Sequence, residues 1–296
     1  MVSKETLLES IHTGLSDTLG NTGKPEWVRD LSGGDINRAA LIRSGNTNWF
    51  LKYHQGAPDG MFEAEALALS EISENECIKV PRPVAHGSDG STSWLVLEHL
   101  ELTSSGPESL LGEHLAALHR VTSGQHGWSR DNFIGSTPQH NSRCDNWITF
   151  WREQRLLPQL EMARTAGHNG LLQRNGERLL DSLHLLMADH QPAACLLHGD
   201  LWGGNKAFTA NGQPVIFDPA SYYGDRETDI AMTELFGGFG PSFYSAYQAH
   251  FPLPDGYRLR CELYNLYHML NHLNLFGSGY LSRCQGMIDS LLAQVR

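Results

Sequence analysis

Two stretches carry the side chains with the most obvious chemistry. In Leu196-Leu197-His198-Gly199-Asp200-Leu201-Trp202-Gly203-Gly204-Asn205 a carboxylate and a carboxamide stand five residues apart, behind an apolar run. In Val215-Ile216-Phe217-Asp218 a second carboxylate ends an apolar run that reads as a short strand. Asp200 could orient a hydroxyl and take its proton. Asn205 and Asp218 offer the hard oxygen atoms that Mg²⁺ prefers. Phosphoryl transfer asks a protein for little more than an orienting base and metal ligands. His-Gly-Asp alone also fits an ordinary exit from a strand into a turn; the second acid is what favours phosphoryl transfer.

Elements must bring these groups together. His198, Asp200 and Asn205 repeat the spacing of the kinase catalytic loop H-R-D-x-x-x-x-N, with Gly199 in place of Arg. Upstream, Leu7, Leu8, Ile11 and Leu15 fit one face of a helix. Three antiparallel strands are expected over 25–31, 38–43 and 48–53, joined by glycine-bearing turns. Gly33 and Gly34 in the first turn would let backbone N–H groups face phosphate oxygens, or would simply close a hairpin. Lys52 sits on the third strand among aromatic and apolar residues, where kinases keep the lysine that holds the α- and β-phosphates. A helix is expected over 60–75. Phe62, Leu69 and Ile72 share one face, Glu65 falls on that same face and Glu63 nearer the polar side. A carboxylate on an apolar face needs a partner, so Glu65 is expected to pair with Lys52.

Two more strands, 83–87 and 93–98, lead into Glu98-His99-Leu100. In a kinase this would be the hinge whose backbone pairs with adenine, which makes Glu98 and Leu100 nucleotide-contact candidates. The first lobe would end there, giving a nucleotide-binding lobe over 1–100 and a helical catalytic lobe over 101–296. Beyond it the pattern is mostly helical, with helices expected over 147–163, 171–190, 242–250, 258–276 and 281–295. The segment 127–139 is too long and too rich in Gly, Pro and aromatics for a plain connector, which suggests a functional loop. Asp229 opens a helix, a natural place for a carboxylate.

Composition narrows the class. The chain has 296 residues and 40% hydrophobic content, enough for a large core. Its net charge of −11, with no basic cluster, argues against nucleic acid and would suit a cationic substrate. Five scattered cysteines without a Cys-x-x-Cys pair fit a reducing cytoplasm rather than a disulfide framework or a zinc site. No apolar run is long enough to span a bilayer. Gly23-Lys24 lacks the rest of a Walker loop, and His268 and His272 lack the glutamate of a zinc protease. Cys195 sits in an apolar run with no positive charge beside it, a poor setting for a nucleophile.

His198-Gly199-Asp200-Leu201-Trp202, Ile134-Gly135-Ser136-Thr137-Pro138-Gln139 and Phe217-Asp218-Pro219-Ala220 together resemble the fructosamine kinase (ketosamine-3-kinase) family. That family is part of the aminoglycoside phosphotransferase and choline kinase group of protein-kinase-like folds. The resemblance covers nearly the whole chain. It implies an α+β, two-lobed fold, with an antiparallel sheet and one helix in the small lobe and a mostly helical large lobe. It implies ATP and Mg²⁺ as cofactors. The reaction implied is phosphorylation of the 3-hydroxyl of a ketosamine, a small molecule or a glycated protein lysine, after which the phosphate leaves and the amine is freed. By resemblance Asp200 is the base, Asn205 and Asp218 bind Mg²⁺, and Lys52 holds phosphates with Glu65 behind it. Trp202 would stack on the substrate sugar, and Asp229 would brace the catalytic loop. Asp35 stands where some members carry a redox-sensitive cysteine, so that switch is not expected here. Two other readings use the same residues: a kinase of another hydroxyl acceptor (an aminoglycoside, a choline-like alcohol or a sugar), or a catalytically silent nucleotide-binding module.

Overall fold

The computed structural model describes residues 4–31 and 37–295, so the turn holding Gly33, Gly34 and Asp35 lies outside the described residues. The chain forms two compact units, Met1–Pro107 with Lys206–Pro219 and Glu108–Asn205 with Ala220–Arg296.

The first unit begins with helix α1 (Lys4–Leu19) and strands β1 (Glu26–Leu31), β2 (Arg38–Ser44) and β3 (Thr47–Gln55). Helix α2 (Met61–Glu74), β4 (Pro83–Ser88), β5 (Thr92–Glu98) and the short β6 (Leu102–Thr103) follow. The first five strands make one antiparallel sheet in the order β1-β2-β3-β5-β4. Consecutive Ala39, Ala40, Leu41 and Ile42 are all buried, the mark of a strand covered on both faces. On one face Leu7, Ile11 and Leu15 of α1 pack into a core with Ala40, Ile42, Leu51, Trp94 and Val96. Because successive side chains of a strand point to opposite faces, Leu51 in that core sends Lys52 to the other side, where α2 meets it.

The second unit holds α3 (Glu108–Leu118), β7 (Thr122–Ser123), β8 (Asn132–Ile134), β9 (Thr137–Gln139), α4 (Trp147–Trp151), α5 (Leu157–Thr165), α6 (Leu171–Leu186) and β10 (Ala194–Leu196). The hairpin of β11 (Lys206–Thr209) and β12 (Pro214–Ile216) then belongs to the first unit, where β11 pairs with β6 through Phe208 and Thr103. The second unit resumes with β13 (Tyr223–Gly224), α7 (Glu227–Leu235), α8 (Pro241–His250), α9 (Tyr257–Phe276) and α10 (Leu281–Ala293).

Three features differ from the sequence reading in an instructive way. That reading cuts the chain once, at residue 100, whereas the first compact unit runs to Pro107 and takes in the β11–β12 hairpin, which pairs with β6 in a separate three-stranded sheet. The single helix expected over 147–163 is broken by a π-helical turn, Arg152–Leu156, between α4 and α5. Pro158, in the first turn of α5, has no N–H to continue the helical ladder, which accounts for the widened turn before it. The segment 127–139 contains the hairpin β8–β9, built into the second unit rather than standing off as a loop.

His268, near the middle of α9, is buried, and burial pushes its imidazole down to about 3, with His272 one turn on adding to the effect. Between that value and the unfolded histidine pKa of about 6.5, the unfolded chain binds the proton and the folded chain does not. Stability from this group is therefore complete above about pH 6.5 and falls on acidification by roughly 1.4 kcal/mol per pH unit. The variant His268→Gln should lose this slope between pH 6.5 and 4.5 in denaturant titrations followed by tryptophan fluorescence. A slope unchanged from the parent would show that His268 is charged in the native state.

Candidate active site

Lys52 and Glu65 form the buried part of the first unit's charged cluster. The Lys52 Nζ donates to Glu65 Oε1 at 2.9 Å and Oε2 at 2.8 Å, and lies 2.9 Å from Asp218 Oδ1. Glu63, two residues before Glu65, is exposed, as the helical face requires. Burial works against the charge on Lys52, but Asp218 and Glu65 together outweigh it and hold the amine above the ordinary lysine range. Burial lifts the Glu65 carboxyl to about 7; Lys52 opposes that rise and Asp218 adds to it. Asp218 follows the buried strand β12 and takes a φ of +58°, a left-handed conformation uncommon outside glycine. Its side chain is 41% exposed, so only part of the carboxylate is engaged by Lys52.

Other sequence-predicted contacts of this unit have mixed fates. The Glu98 N–H donates to Arg82 O at 2.8 Å, while its carboxylate accepts from the Arg82 N–H at 3.3 Å and lies 3.9 Å from Lys79 Nζ. Its N–H is thus spent within the protein. The Leu100 N–H has no hydrogen-bond partner among the described residues. Gly33 and Gly34 lie outside the described residues.

In the second unit, β10 carries the chain through the core and releases it at His198. Asp229, in the first turn of α7, takes the His198 N–H on Oδ2 at 2.7 Å and the Gly199 N–H on Oδ1 at 2.8 Å. His119 Nε2 lies 3.1 Å from the same Oδ2, and its Nδ1 lies 2.7 Å from the Tyr247 hydroxyl. Burial would raise the Asp229 carboxyl, but His119, His198 and the Gly199 N–H more than offset it and hold it below the usual carboxylate range. Gly199 has φ +83°, and a Cβ there would lie 2.1 Å from the Ala220 carbonyl oxygen. That contact explains why glycine stands where protein kinases carry arginine.

Beyond Gly199 the Asp200 N–H donates to His198 Nδ1 at 3.2 Å. Asn205 is buried, and its Nδ2 donates to the Asp200 carbonyl at 2.9 Å and lies 3.4 Å from Asp200 Oδ2. With Nδ2 turned that way, Oδ1 is the atom Asn205 has to offer a cation. Trp202 is 41% exposed and is no core residue. Its ring lies across Gly204, where a Cβ would come within 2.3 Å of it.

Some functional groups escaped the sequence reading. His119 was one, although it lies four residues after Leu115 on the apolar face of α3. Asn132 and Gln139 were read as parts of a loop, with Gln139 also in a family motif, and neither was given a role; both are buried and donate to the backbone carbonyls of Ser221 and Ala220. The groups set aside stay aside. Cys195 is buried, which pushes its thiol up to about 12. His190, Asp225 and Glu227 approach one another closely enough to hold a metal ion. Asp225, however, is engaged by His190 and Tyr264, and Glu227 by two donors of Arg260.

A lysine–glutamate pair joined by an aspartate after a short strand, and a braced His-x-Asp loop with its asparagine, define a protein-kinase-like phosphotransferase. The aminoglycoside phosphotransferase APH(4)-Ia shares that fold, at 16% identity and a TM-score of 0.61 over 96% of this chain and 98% of that one. The chain belongs to the fructosamine kinase family, whose model matches residues 7–294. It is 44% identical to a Synechocystis protein named "Probable ketoamine kinase", covering 96% of each chain. It is 40% identical to the chloroplastic protein-ribulosamine 3-kinase of Arabidopsis thaliana, covering 94% of this chain and 86% of that one. A crystal structure assigned as a fructosamine-3-kinase from Haemophilus somnus superposes with a TM-score of 0.86 at 29% identity, covering 96% of this chain and 97% of that one.

Replacing Asp229 tests the brace. Asp229→Asn turns one acceptor oxygen into a donor facing a buried backbone N–H, a loss of about 1–3 kcal/mol. The folded pKa of Asp229 lies below its unfolded value of about 3.9, so its contribution is present above that pH and is lost as pH falls below it. The variant should therefore be less stable than the parent at pH 7, with the difference shrinking below pH 4 in thermal melts. A constant difference across that range would show that the carboxylate charge is not what the loop relies on.

Proposed function

We propose that this protein transfers the γ-phosphoryl group of ATP to the 3-hydroxyl of a ketosamine, after which phosphate elimination frees the amine. The observation that carries the reading is the clamp of Asp229 on the His198 and Gly199 N–H groups, which presents Asp200 with Asn205 bonded beside it. Family membership supplies the substrate class, since relatives are named for ketoamines and ribulosamines. A silent nucleotide-binding module would have little use for a complete set of Lys52, Asp200, Asn205 and Asp218.

Each residue has one task. Asp200 accepts a hydrogen bond from the acceptor hydroxyl, aims its lone pair at phosphorus and takes the proton late, as a loose transition state requires. Lys52, held by Glu65, donates to the α- and β-phosphates. Asn205 Oδ1 and the partly exposed Asp218 carboxylate each offer a hard oxygen to Mg²⁺, which when bound would neutralise charge on the phosphates. Leu100 offers its N–H to the adenine, with Glu98 before it in the same stretch. Trp202 offers an aromatic face to the sugar or to its ammonium. Both free ketosamines and glycated protein lysines fit this chemistry. A reducing cytoplasm suits five free cysteines, and among the described residues no helix is long and apolar enough to cross a membrane.

The test is ATP consumption against lysine ketosamines built from different sugars, with aminoglycosides and choline as competing acceptors and ³¹P NMR to locate the phosphate. Phosphate on the ketosamine 3-hydroxyl is expected; transfer to the other acceptors alone would replace the substrate assignment. Asp200→Asn should still bind ATP by calorimetry while turnover falls roughly 10²–10⁴-fold. Near-parent turnover in that variant would remove Asp200 as the base. Trp202→Ala should raise KM for the ketosamine and leave KM for ATP near its parent value; equal damage to both would take Trp202 out of the acceptor site.

A further inference from the structure

We propose that Arg155 is a positioning residue for the catalytic loop, acting through a buried chain of side-chain amides that ends on the Ala220–Ser221 backbone. The inference rests on the phosphotransferase reading above for its kinetic consequence, and on geometry alone for the rest.

Arg155 lies on the π-helical turn and is fully buried, yet among the described residues no carboxylate forms an ion pair with it. Its Nη1 donates to His140 O at 2.5 Å and Gln154 O at 2.8 Å, and its Nη2 to Asn141 Oδ1 at 2.8 Å. The guanidinium lies 4.0 Å from the centre of the Tyr222 ring and 4.6 Å from that of Phe150. Its Nε has no partner among the described residues. A buried cation held this way is expensive, and an apolar side chain of similar volume would fill the space at lower cost. The charge must serve something other than packing.

What it serves is direction. Arginine can only donate. Taking Asn141 Oδ1 turns Asn141 Nδ2 the other way, to Asn132 Oδ1 at 2.8 Å. Asn132 Nδ2 is then left for the Ser221 carbonyl, also at 2.8 Å. Gln139 Nε2 joins at Asn132 Oδ1 and at the Ala220 carbonyl, and Gln139 Oε1 accepts from the Tyr267 hydroxyl. A donor-only group at one end and backbone carbonyls at the other give the chain a single polarity. Flipping any amide would place donor against donor or oxygen against oxygen in a low-dielectric interior.

The segment so held carries the catalytic loop. Leu197 N–H donates to Tyr222 O at 3.1 Å, and Ala220 N–H donates to His198 O at 2.9 Å. Gly199 rests against the Ala220 carbonyl, and Tyr222, stacked beneath the guanidinium, directly follows Ser221. Arg155 thus grips the partner strand of the loop by its backbone, through the amides, and by a ring.

Two variants test it, Arg155→Met and Asn132→Leu, with Arg152→Met on the same turn as control, since Arg152 is only partly buried and pairs with Glu153 and Asp181 rather than with the amide chain. Ketosamine phosphorylation by the two relay variants should show kcat lower by roughly 10- to 100-fold, with KM for ATP unchanged, because misplacement harms orientation more than binding. The double variant should lose little more than either single one. Hydrogen exchange by mass spectrometry should show faster exchange at 197–200 and 220–223, while α6 and α10 keep parent protection. Parent-like kcat and exchange in a folded variant would overturn the proposal. So would exchange that rises evenly across the second unit, the signature of plain destabilisation. Should Arg155→Met not fold, Asn132→Leu decides. If the parent phosphorylates no ketosamine, the substrate reading fails, and the exchange measurement still decides the relay.

Discussion

The structure depends most on two hydrogen bonds accepted by one buried carboxylate. At the end of β10 the chain leaves its ladder and turns through Gly199, which puts two backbone N–H groups in the interior without strand partners. A buried N–H left unmade costs about as much as a lost hydrogen bond. Asp229 takes both, one on each oxygen, and charge-assisted bonds of this kind are about twice as strong as neutral ones. Its own charge is met by His119 and by its place in the first turn of α7, where the helix dipole favours an anion. The register of the loop is therefore set by a helix start some thirty residues downstream. Asp200, Trp202 and Asn205 inherit their positions from it.

The first unit solves a different electrostatic problem. A lysine on an interior strand face must be paired, and here two carboxylates meet one ammonium. Glu65 is buried with Lys52 and is committed to it. Asp218 is half outside and sits on a left-handed backbone, a conformation retained where surroundings or function demand it. When both acids are ionised the cluster carries a surplus of negative charge, an arrangement that favours arrival of a cation. Burial is the main cause of the lift in the Glu65 carboxyl, and the Asp218 charge adds to it.

Much of this was legible in the sequence where the pattern is local. Helical periodicity separated Glu65 from Glu63, because only one of them shares a face with Phe62, Leu69 and Ile72. The strand before Asp218 and the helix around Asp229 were readable from apolar runs and their first polar residue, although the strand ends at Ile216 and the helix opens two residues earlier, at Glu227. What could not be read depends on partners distant in sequence. The β11–β12 hairpin joins the first unit because Phe208 pairs with Thr103, and no window of residues contains both. Asn132 and Gln139 looked like loop residues because their acceptors lie 89 and 81 positions away. Arg155 looked like one more charge on a helix, since nothing in its neighbourhood of sequence shows that the turn it occupies faces the core.

Gly203 and Gly204 show how a motif can mislead about its own chemistry. Paired glycines after an aspartate invite a phosphate-cradle reading, in which bare backbone N–H groups approach an anion. The Asn205 N–H is instead spent on the Trp202 carbonyl in a tight turn. Gly204 is small for a steric reason: the Trp202 ring lies over it, and any side chain there would displace the ring. The indole lies against Gly204 and still leaves Trp202 41% exposed. Gly204 thus makes room for the ring that we propose as the acceptor surface, and in the same reading the phosphates fall to Lys52.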